Sequence, residues 1–206
     1  MTTSILFATV DGFAARSEVT EEWATIRAGV GNTVLNDGVH IDIYGEVDSN
    51  GDWVFLGRGL TIFDTSSIPD TDTITSATLA FYCTSKSDQS GQSVHISSGT
   101  TASPTALAEA DYQANQGTDA SFGSLPITSI TVGQYNSFIL NAAGIGNISK
   151  TGLSKFALRL AGDLTNVEPA VAAGGFVSVR FQTFLPRLTI VHESTTTTRQ
   201  TDGKSF

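Results

Sequence analysis

The stretch L-T-I-F-D-T-S-S-I-P-D-T-D-T-I-T-S-A-T-L-A-F-Y, from Leu60 to Tyr82, decides the fold class. Apolar and polar residues alternate before Asp64 and again after Ser76, which is the pattern of two strands that each bury one face. Between them stands Pro69, which has no N–H to give to a sheet and fixes its own φ. We therefore expect the chain to leave one sheet here and cross to another, rather than to turn back in a tight hairpin.

The remaining sequence has the same character. Short runs of Val, Ile, Phe and Thr are separated by Gly, Asn, Asp and Ser at intervals of about 8–12 residues, and no long segment has helical periodicity. A chain of 206 residues is within the size of one such domain. The sequence predicts an all-β fold, a two-sheet jelly-roll-like β-sandwich with one short helix, formed by residues 1–192. Residues 193–206 carry little apolar surface and are predicted to be a flexible C-terminal arm.

Several local structures are predicted by pattern. Residues 4–10 form a candidate first strand, which a turn at Asp11-Gly12 would end. The alternation in Trp23–Ala28 favours a short strand. The helix formers within Thr105–Gln116, with Leu107 and Ala110 three apart, predict the single helix.

The clearest hairpin lies between His40–Val47 and Trp53–Leu60. Asn50-Gly51 between two β-type runs is a strong turn signal. The alternate oxygen ligands Asp48, Asn50 and Asp52 at this tip would also suit the start of a calcium loop. The position of the closing glutamate, however, holds Gly59.

Residues that could bind a metal or act as nucleophiles are few. Cys83 is the only cysteine, so neither an intrachain disulfide nor a thiolate zinc site is possible, and its apolar neighbours predict a small buried core residue. The three histidines, His40, His95 and His192, are isolated in candidate strands. A shared metal site would need the fold to bring them together. We expect no cofactor and no metal.

The charge and the segment types limit the partners. The formal net charge is −9 and the eleven basic residues are scattered, so we expect no nucleic-acid partner. The N-terminal apolar run lacks a basic region and a cleavage site, and no run approaches the roughly twenty apolar residues of a membrane span. We expect synthesis in a cytoplasm without a signal peptide, and no membrane insertion.

Candidate catalytic carboxylates have simpler structural roles. Asp64, beside an apolar phenylalanine, is expected to cap the turn that follows by accepting backbone N–H groups. The acidic residues Glu18, Glu21 and Glu22 would form a glycosidase pair only if a partner faced them across a cleft, and a solvated face is the simpler interpretation. The prediction is that the protein is not an enzyme.

The blocks around Pro69 resemble the core signature of DNRLRE-type domains, which are β-sandwich modules related to carbohydrate-binding modules. Similar strands follow where that family carries them, and the arginine-glutamate pair that often precedes its last strand is replaced here by Arg180-Phe181. The resemblance implies a jelly-roll-like sandwich of a kind found as accessory modules on secreted or surface proteins and in some phage virion proteins. It rests on these segments: Leu60–Pro69, Ile74–Tyr82, Phe138–Asn141, Gly152–Arg159 and Pro186–Ile190.

Two functions remain open. A sugar-binding module that recognises a polysaccharide or cell-surface glycan would stack exposed aromatic rings on the sugar, and Trp23, Tyr44 and Trp53 are the candidate ligand-binding residues. The favoured hypothesis is a non-enzymatic structural protein of a phage-like virion, such as a capsid decoration protein or a head or tail fibre subunit. It would be made in the host cytoplasm and would contact copies of itself and other virion proteins.

Overall fold

The computed structural model describes residues 1–36, 39–117, 120–182 and 186–194. Strands dominate this part of the chain. They are β1 (Thr2–Glu21), β2 (Thr33–Leu35), β3 (His40–Val47), β4 (Trp53–Asp64), β5 (Asp72–Ser87), β6 (Ser93–Ser98), β7 (Gly123–Pro126), β8 (Tyr135–Ile139), β9 (Leu153–Leu160), β10 (Phe176–Gln182) and β11 (Arg187–Ser194). The helices are α1 (Trp23–Ala28), α2 (Ala110–Ala114), α3 (Ala142–Gly146) and α4 (Ala161–Thr165), with a 3-10 turn at Ile127–Ser129.

Six antiparallel strands close into a ring in the order β1-β11-β5-β10-β3-β4, and β4 pairs again with β1. Further strands extend this barrel: β9, β6 and β7 continue outward from β4, β2 pairs with β1, and β8 pairs with β5. The prediction of an all-β fold is confirmed. The closed ring is a barrel, and the more specific jelly-roll prediction stays a prediction.

The first strand makes the closure possible. Residues Thr2–Phe7 pair with β11, and from Ala8 onward the same strand pairs with β4. The prediction of a turn at Asp11-Gly12 was wrong, because these residues pair in register with Thr61 and Leu60 of β4. A long ladder on the neighbouring strand outweighs the local turn preference of an Asp-Gly pair.

The segment after β4 does not form a tight hairpin, as expected, although β4 and β5 belong to the same closed ring. β4 ends at Asp64, β5 begins at Asp72, and the two strands do not pair with each other. Ile68 in the connection is buried. β4 itself is buried on both faces, since Leu60 packs in a second core while Phe63 packs in the main one.

The main core fills the space between the strands, and a smaller second core lies between β4 and the helices. The second core unites Trp23 and Ile26 of α1 with Trp53, Leu60 and Tyr112. The prediction of a strand at Trp23–Ala28 was wrong, because this segment is helix α1. Trp23 and Ile26, three residues apart, bury one face of that helix. The predicted single helix was also incomplete, because α2 covers only part of Thr105–Gln116 and other short helices accompany it.

The predicted hairpin and the predicted arm have different outcomes. β3 and β4 pair across the loop at 48–52, with Val47 opposite Trp53, which confirms the hairpin. At the other end β11 extends through Ser194, so Glu193 and Ser194 pair with β5. The rest of the predicted arm, 195–206, lies outside the described residues.

Candidate functional site

The two tryptophans of the predicted sugar platform lie inside the second core. Trp53 is 1% exposed and Trp23 is 7% exposed, and their ring centroids are 4.8 Å apart. The Trp53 indole N–H donates to Glu168 Oε1 at 2.7 Å. Neither ring offers a free face to a sugar, so the structure does not assemble the three predicted residues into one platform.

Tyr44, the third predicted residue, belongs to a different aromatic group on the outer side of β3, β4 and β10. Its ring stacks on Phe176 at 5.8 Å between centroids and meets the edge of Phe55 at 5.0 Å. The Tyr44 hydroxyl donates to Glu46 Oε2 at 2.9 Å. Burial, followed by this hydrogen bond to a carboxylate, raises the pKa of Tyr44, so the hydroxyl remains a donor at neutral pH.

A groove of about 470 Å³ runs beside this aromatic group. We call it the β1–β4 groove, and it is lined by Ser17, Glu18, Thr33, Glu46, Val54 and Phe55. An aromatic ring next to carboxylates and hydroxyls can contact the apolar face of a polyhydroxylated ligand and accept its hydroxyl hydrogens.

A second surface has a more apolar character. On the outer side of the sheet formed by β1, β11, β5 and β8, Ile5 is 57% exposed, Phe7 is 49% exposed and Ile139 is 75% exposed. Ile5 and Ile139 end one cross-strand row, because Thr189 and Thr78 lie between them in register.

An arginine lies in the middle of the same surface. The guanidinium of Arg187 is 3.9 Å from the centroid of the Tyr135 ring and 6.0 Å from that of Phe7. We call this surface the outer β1–β8 face, defined by Ile5, Phe7, Arg187, Tyr135 and Ile139. Exposed apolar residues that cluster on one sheet mark an interaction surface, whereas single ones do not.

Both edges of this sheet lack a strand partner within the described residues. Thr2–Phe7 pairs with β11 on one side only, and β8 pairs with β5 on one side only. Neither edge segment contains a charged residue or a proline. Such residues are the usual protection of an edge against pairing with another chain, so the Thr2–Phe7 edge can accept an additional strand, whereas Gly123 of β7 lies against the outer edge of β8 at Ile139.

A buried ionic cluster joins the helices to the barrel, and the sequence pattern did not reveal it. Asp163 of α4 accepts two hydrogen bonds from Arg58, both 2.7 Å, and one from Arg159 at 2.8 Å, while Arg27 lies 3.4 Å away. Other guanidinium N–H groups of the cluster donate to main-chain oxygens. Arg58 Nη1, for example, donates to the carbonyl oxygen of Tyr112 at 2.6 Å. Burial alone would raise the pKa of Asp163, but Arg58 and Arg159 lower it to about 2. The cluster is a structural element.

The remaining carboxylates considered from the sequence are engaged locally. Asp64 Oδ1 accepts the backbone N–H and the hydroxyl of Ser66 at 3.0 and 2.6 Å, and these bonds lower the pKa of Asp64. Asp48 Oδ1 accepts the N–H groups of Asn50 and Asp52 at 2.7 and 3.0 Å, which closes the hairpin tip. These groups cap turns, as expected for Asp64.

The histidines and the cysteine are also accounted for. His40 lies near Asp42, His95 bonds Ser121, and His192 bonds Asp72, so the three histidines occupy separate places. Within the described ranges no group of three or more His, Cys, Asp or Glu side chains could hold a metal ion. Cys83 is fully buried, which confirms its predicted place in the core, and burial raises the pKa of its thiol.

Comparison with known proteins gives no family. No family model matches the chain, and no curated protein matches it. In the described part of the chain, no helix combines the length and the apolar character that crossing a membrane requires.

Proposed function

We propose that this chain is a structural subunit of a phage-like virion, a capsid decoration protein or a head or tail fibre subunit, which acts through assembly. The observation that supports the proposal is the outer β1–β8 face, an apolar surface that ends at the open strand edge of Thr2–Phe7. Its partners would be copies of the same chain and other virion proteins.

The size of the effect can be bounded from the exposed residues. Burying the free part of an Ile or Phe side chain stabilises a contact by about 1–2 kcal/mol. In a two-fold contact each residue counts twice, so Ile5, Phe7 and Ile139 together supply about 6–12 kcal/mol. Association itself costs about 4–15 kcal/mol. The face alone therefore supports weak association, and a crowded array of subunits or added strand pairing would make it stable.

The strand edges provide that additional term. Thr2–Phe7 is rich in Thr and in Ile, Leu and Phe, which favour strands, and its outward backbone groups have no strand partner in the described chain. An added strand would satisfy these groups while its side chains contact Ile5 and Phe7. This mode of contact places the apolar face and the bare edge in one interface.

The test is the molar mass of the purified chain over a concentration series, measured by size exclusion with light scattering. Ile139→Asp and Ile5→Asp should lower the apparent mass. Val167→Asp, a matched control at a valine that is 63% exposed and lies away from this face, should leave it unchanged. A wild-type chain that remains monomeric at concentrations far above micromolar would contradict the proposal. Because β11 extends to Ser194, a version that ends there tests whether 195–206 contributes.

The jelly-roll relationship is part of the same proposal. Two features support it: the crossing between β4 and β5, and a core enclosed by ladders that share the long strands β1 and β5. The resemblance to DNRLRE-type domains would then be a resemblance in strand order. Such a resemblance does not by itself imply that this chain binds a ligand.

A second candidate function is glycan binding, and the aromatic group of Tyr44, Phe55 and Phe176 beside the β1–β4 groove favours it. Native gels that contain soluble polysaccharides test this function by retardation. Phe55→Ala, which removes the aromatic ring that lines the groove, should abolish retardation, while Tyr135→Ala, which removes an aromatic ring from the outer β1–β8 face, should not. Equal retardation of both variants would exclude the groove as the site.

A further inference from the structure

A serine, a histidine and an aspartate lie in line across the neighbouring strands β1, β11 and β5. His192 Nε2 is 3.0 Å from Ser4 Oγ, and His192 Nδ1 is 2.7 Å from Asp72 Oδ2. Ser4 and His192 are 188 positions apart in sequence, so only the strand register brings them together.

The surroundings of each group suit a reactive serine. His192 is 4% exposed and Asp72 is 6% exposed, while Ser4 is only partly buried and can be reached from solvent. Ser194 Oγ donates to the second oxygen of Asp72 at 3.1 Å, which orients the carboxylate. The hydrogen bond from His192, the largest cause, lowers the pKa of Asp72. With Asp72 accepting the Nδ1 hydrogen, neutral His192 presents Nε2 as an acceptor to the Ser4 hydroxyl.

The backbone beside Ser4 offers hydrogen-bond donors. In an antiparallel pair the N–H groups of alternate residues point toward and away from the partner strand. Thr2–Phe7 has β11 on one side and no strand on the other among the described residues. Either the N–H of Ser4 itself or those of Thr3 and Ile5 therefore point to the open edge, where they can stabilise a negative oxygen formed at the serine.

We propose that Ser4 is an activated nucleophile that accepts the acyl group of carboxylic esters, with His192 as general base and Asp72 as the positioning residue. Ser4 Oγ forms a bond to the carbonyl carbon as its proton moves to His192 Nε2. The bond from that carbon to the ester oxygen then breaks, and the leaving alkoxide takes the electron pair and the proton. No oxidation or reduction takes place. This reactivity uses the open edge of Thr2–Phe7 that an added strand would occupy, so it belongs to the unassembled chain, and it does not depend on the proposed virion role.

The chain contains an internal control for this chemistry. Ser121 Oγ lies 2.8 Å from His95 Nδ1, so a second serine also contacts an imidazole. No carboxylate bonds His95 within the described residues, whereas Asp72 bonds His192. If the aspartate positions the base, Ser4 should react much faster than Ser121.

The experiment uses the full chain and diisopropyl fluorophosphate, in which a serine oxygen displaces fluoride from phosphorus and which spares amines. Peptide mass spectrometry should find the label on Ser4 and far less on Ser121. His192→Gln should slow the labelling at least about 100-fold, the usual contribution of a general base.

The proposal is overturned if Ser4 stays unlabelled, if Ser121 is labelled as fast, or if H192Q is labelled at the wild-type rate. Circular dichroism checks that the variant is folded. If H192Q does not fold, the ratio of labelling at Ser4 and Ser121 in the wild-type chain decides alone: equal rates at the two serines would refute the assignment.

Discussion

Replacing Asp163 by asparagine is expected to destabilise the fold by about 3–5 kcal/mol, the usual cost of removing one partner from a buried ion pair. Asp163 is the carboxylate that Arg58, Arg159 and Arg27 share, and the side chains of Arg58 and Arg159 are 0% exposed. An asparagine would have the same shape but would turn an N–H₂ group toward guanidinium donors. The positive charges would then stay buried without a counterion.

The lowered pKa of Asp163 gives a second estimate of the same order. Its value of about 2 in the fold, against an ordinary 3.8, corresponds to about 2 kcal/mol at 1.36 kcal/mol per unit. Because the folded pKa is lowered, this stability is present above about pH 4 and is lost as the pH falls toward 2. The asparagine variant should lose stability of this order at pH 7, and it should lack the loss of stability that titration of Asp163 causes between pH 4 and 2.

Thermal and urea unfolding followed by circular dichroism measure the effect. For a chain of this size 1 kcal/mol shifts the melting temperature by about 2–4 °C, so a decrease of about 6–20 °C is expected. Asp42→Asn is the matched control, because Asp42 also binds an arginine through two hydrogen bonds, but the Arg180 side chain is 50% exposed. That pair should contribute about 0.2–1 kcal/mol. Equal losses in the two variants would refute the reasoning.

Three further substitutions or probes address other parts of the barrel. Gly12→Ala should destabilise the fold by at least about 2–3 kcal/mol, because the new Cβ would overlap the carbonyl oxygen of Leu35. Gly51→Ala, in open space at φ +94°, should destabilise it by about 1 kcal/mol. Chemical denaturation compares the free energies of unfolding of the two variants. A thiol reagent should modify Cys83 only as fast as the protein unfolds, because the side chain is fully buried and burial raises its pKa; fast reaction in buffer would contradict this. Asn141→Ala should destabilise α3 by about 1 kcal/mol through loss of its N-terminal cap, measured by the melting temperature.

Features that are determined by residues close in sequence could be predicted from the sequence. The alternation of Ala77, Leu79 and Phe81 did bury one face, and the proline connection did separate unpaired strands. The β3–β4 hairpin followed from its Asn50-Gly51 turn. In each case the decisive energy, burial of one face or the turn geometry, is carried by residues close in sequence.

Features that depend on distant partners were not predictable. Trp23–Ala28 became a helix because Trp23 and Ile26 pack against β4, and the Tyr112 hydroxyl donates to the main-chain oxygen of Ile26 at 2.6 Å. Composition did not distinguish buried Trp53 from half-buried Tyr44, since both occupy one hairpin. The apolar outer face required the register, which places Ile5 and Ile139 in one row from opposite edges of a sheet.

The pairing of β1 with β11 also sets an order of events during synthesis. The segment Thr2–Phe7 is made well before its partner strand β11, and the contact between Ser4 and His192 spans 188 positions. The ring cannot close until β11 has left the ribosome, and contacts this distant slow folding. Until then the nascent chain exposes the edges of β1 and β5 together with much of the main core. Because β1 and β11 pair so late, we expect the nascent chain to depend on chaperones in this interval or to pair with a neighbouring nascent chain.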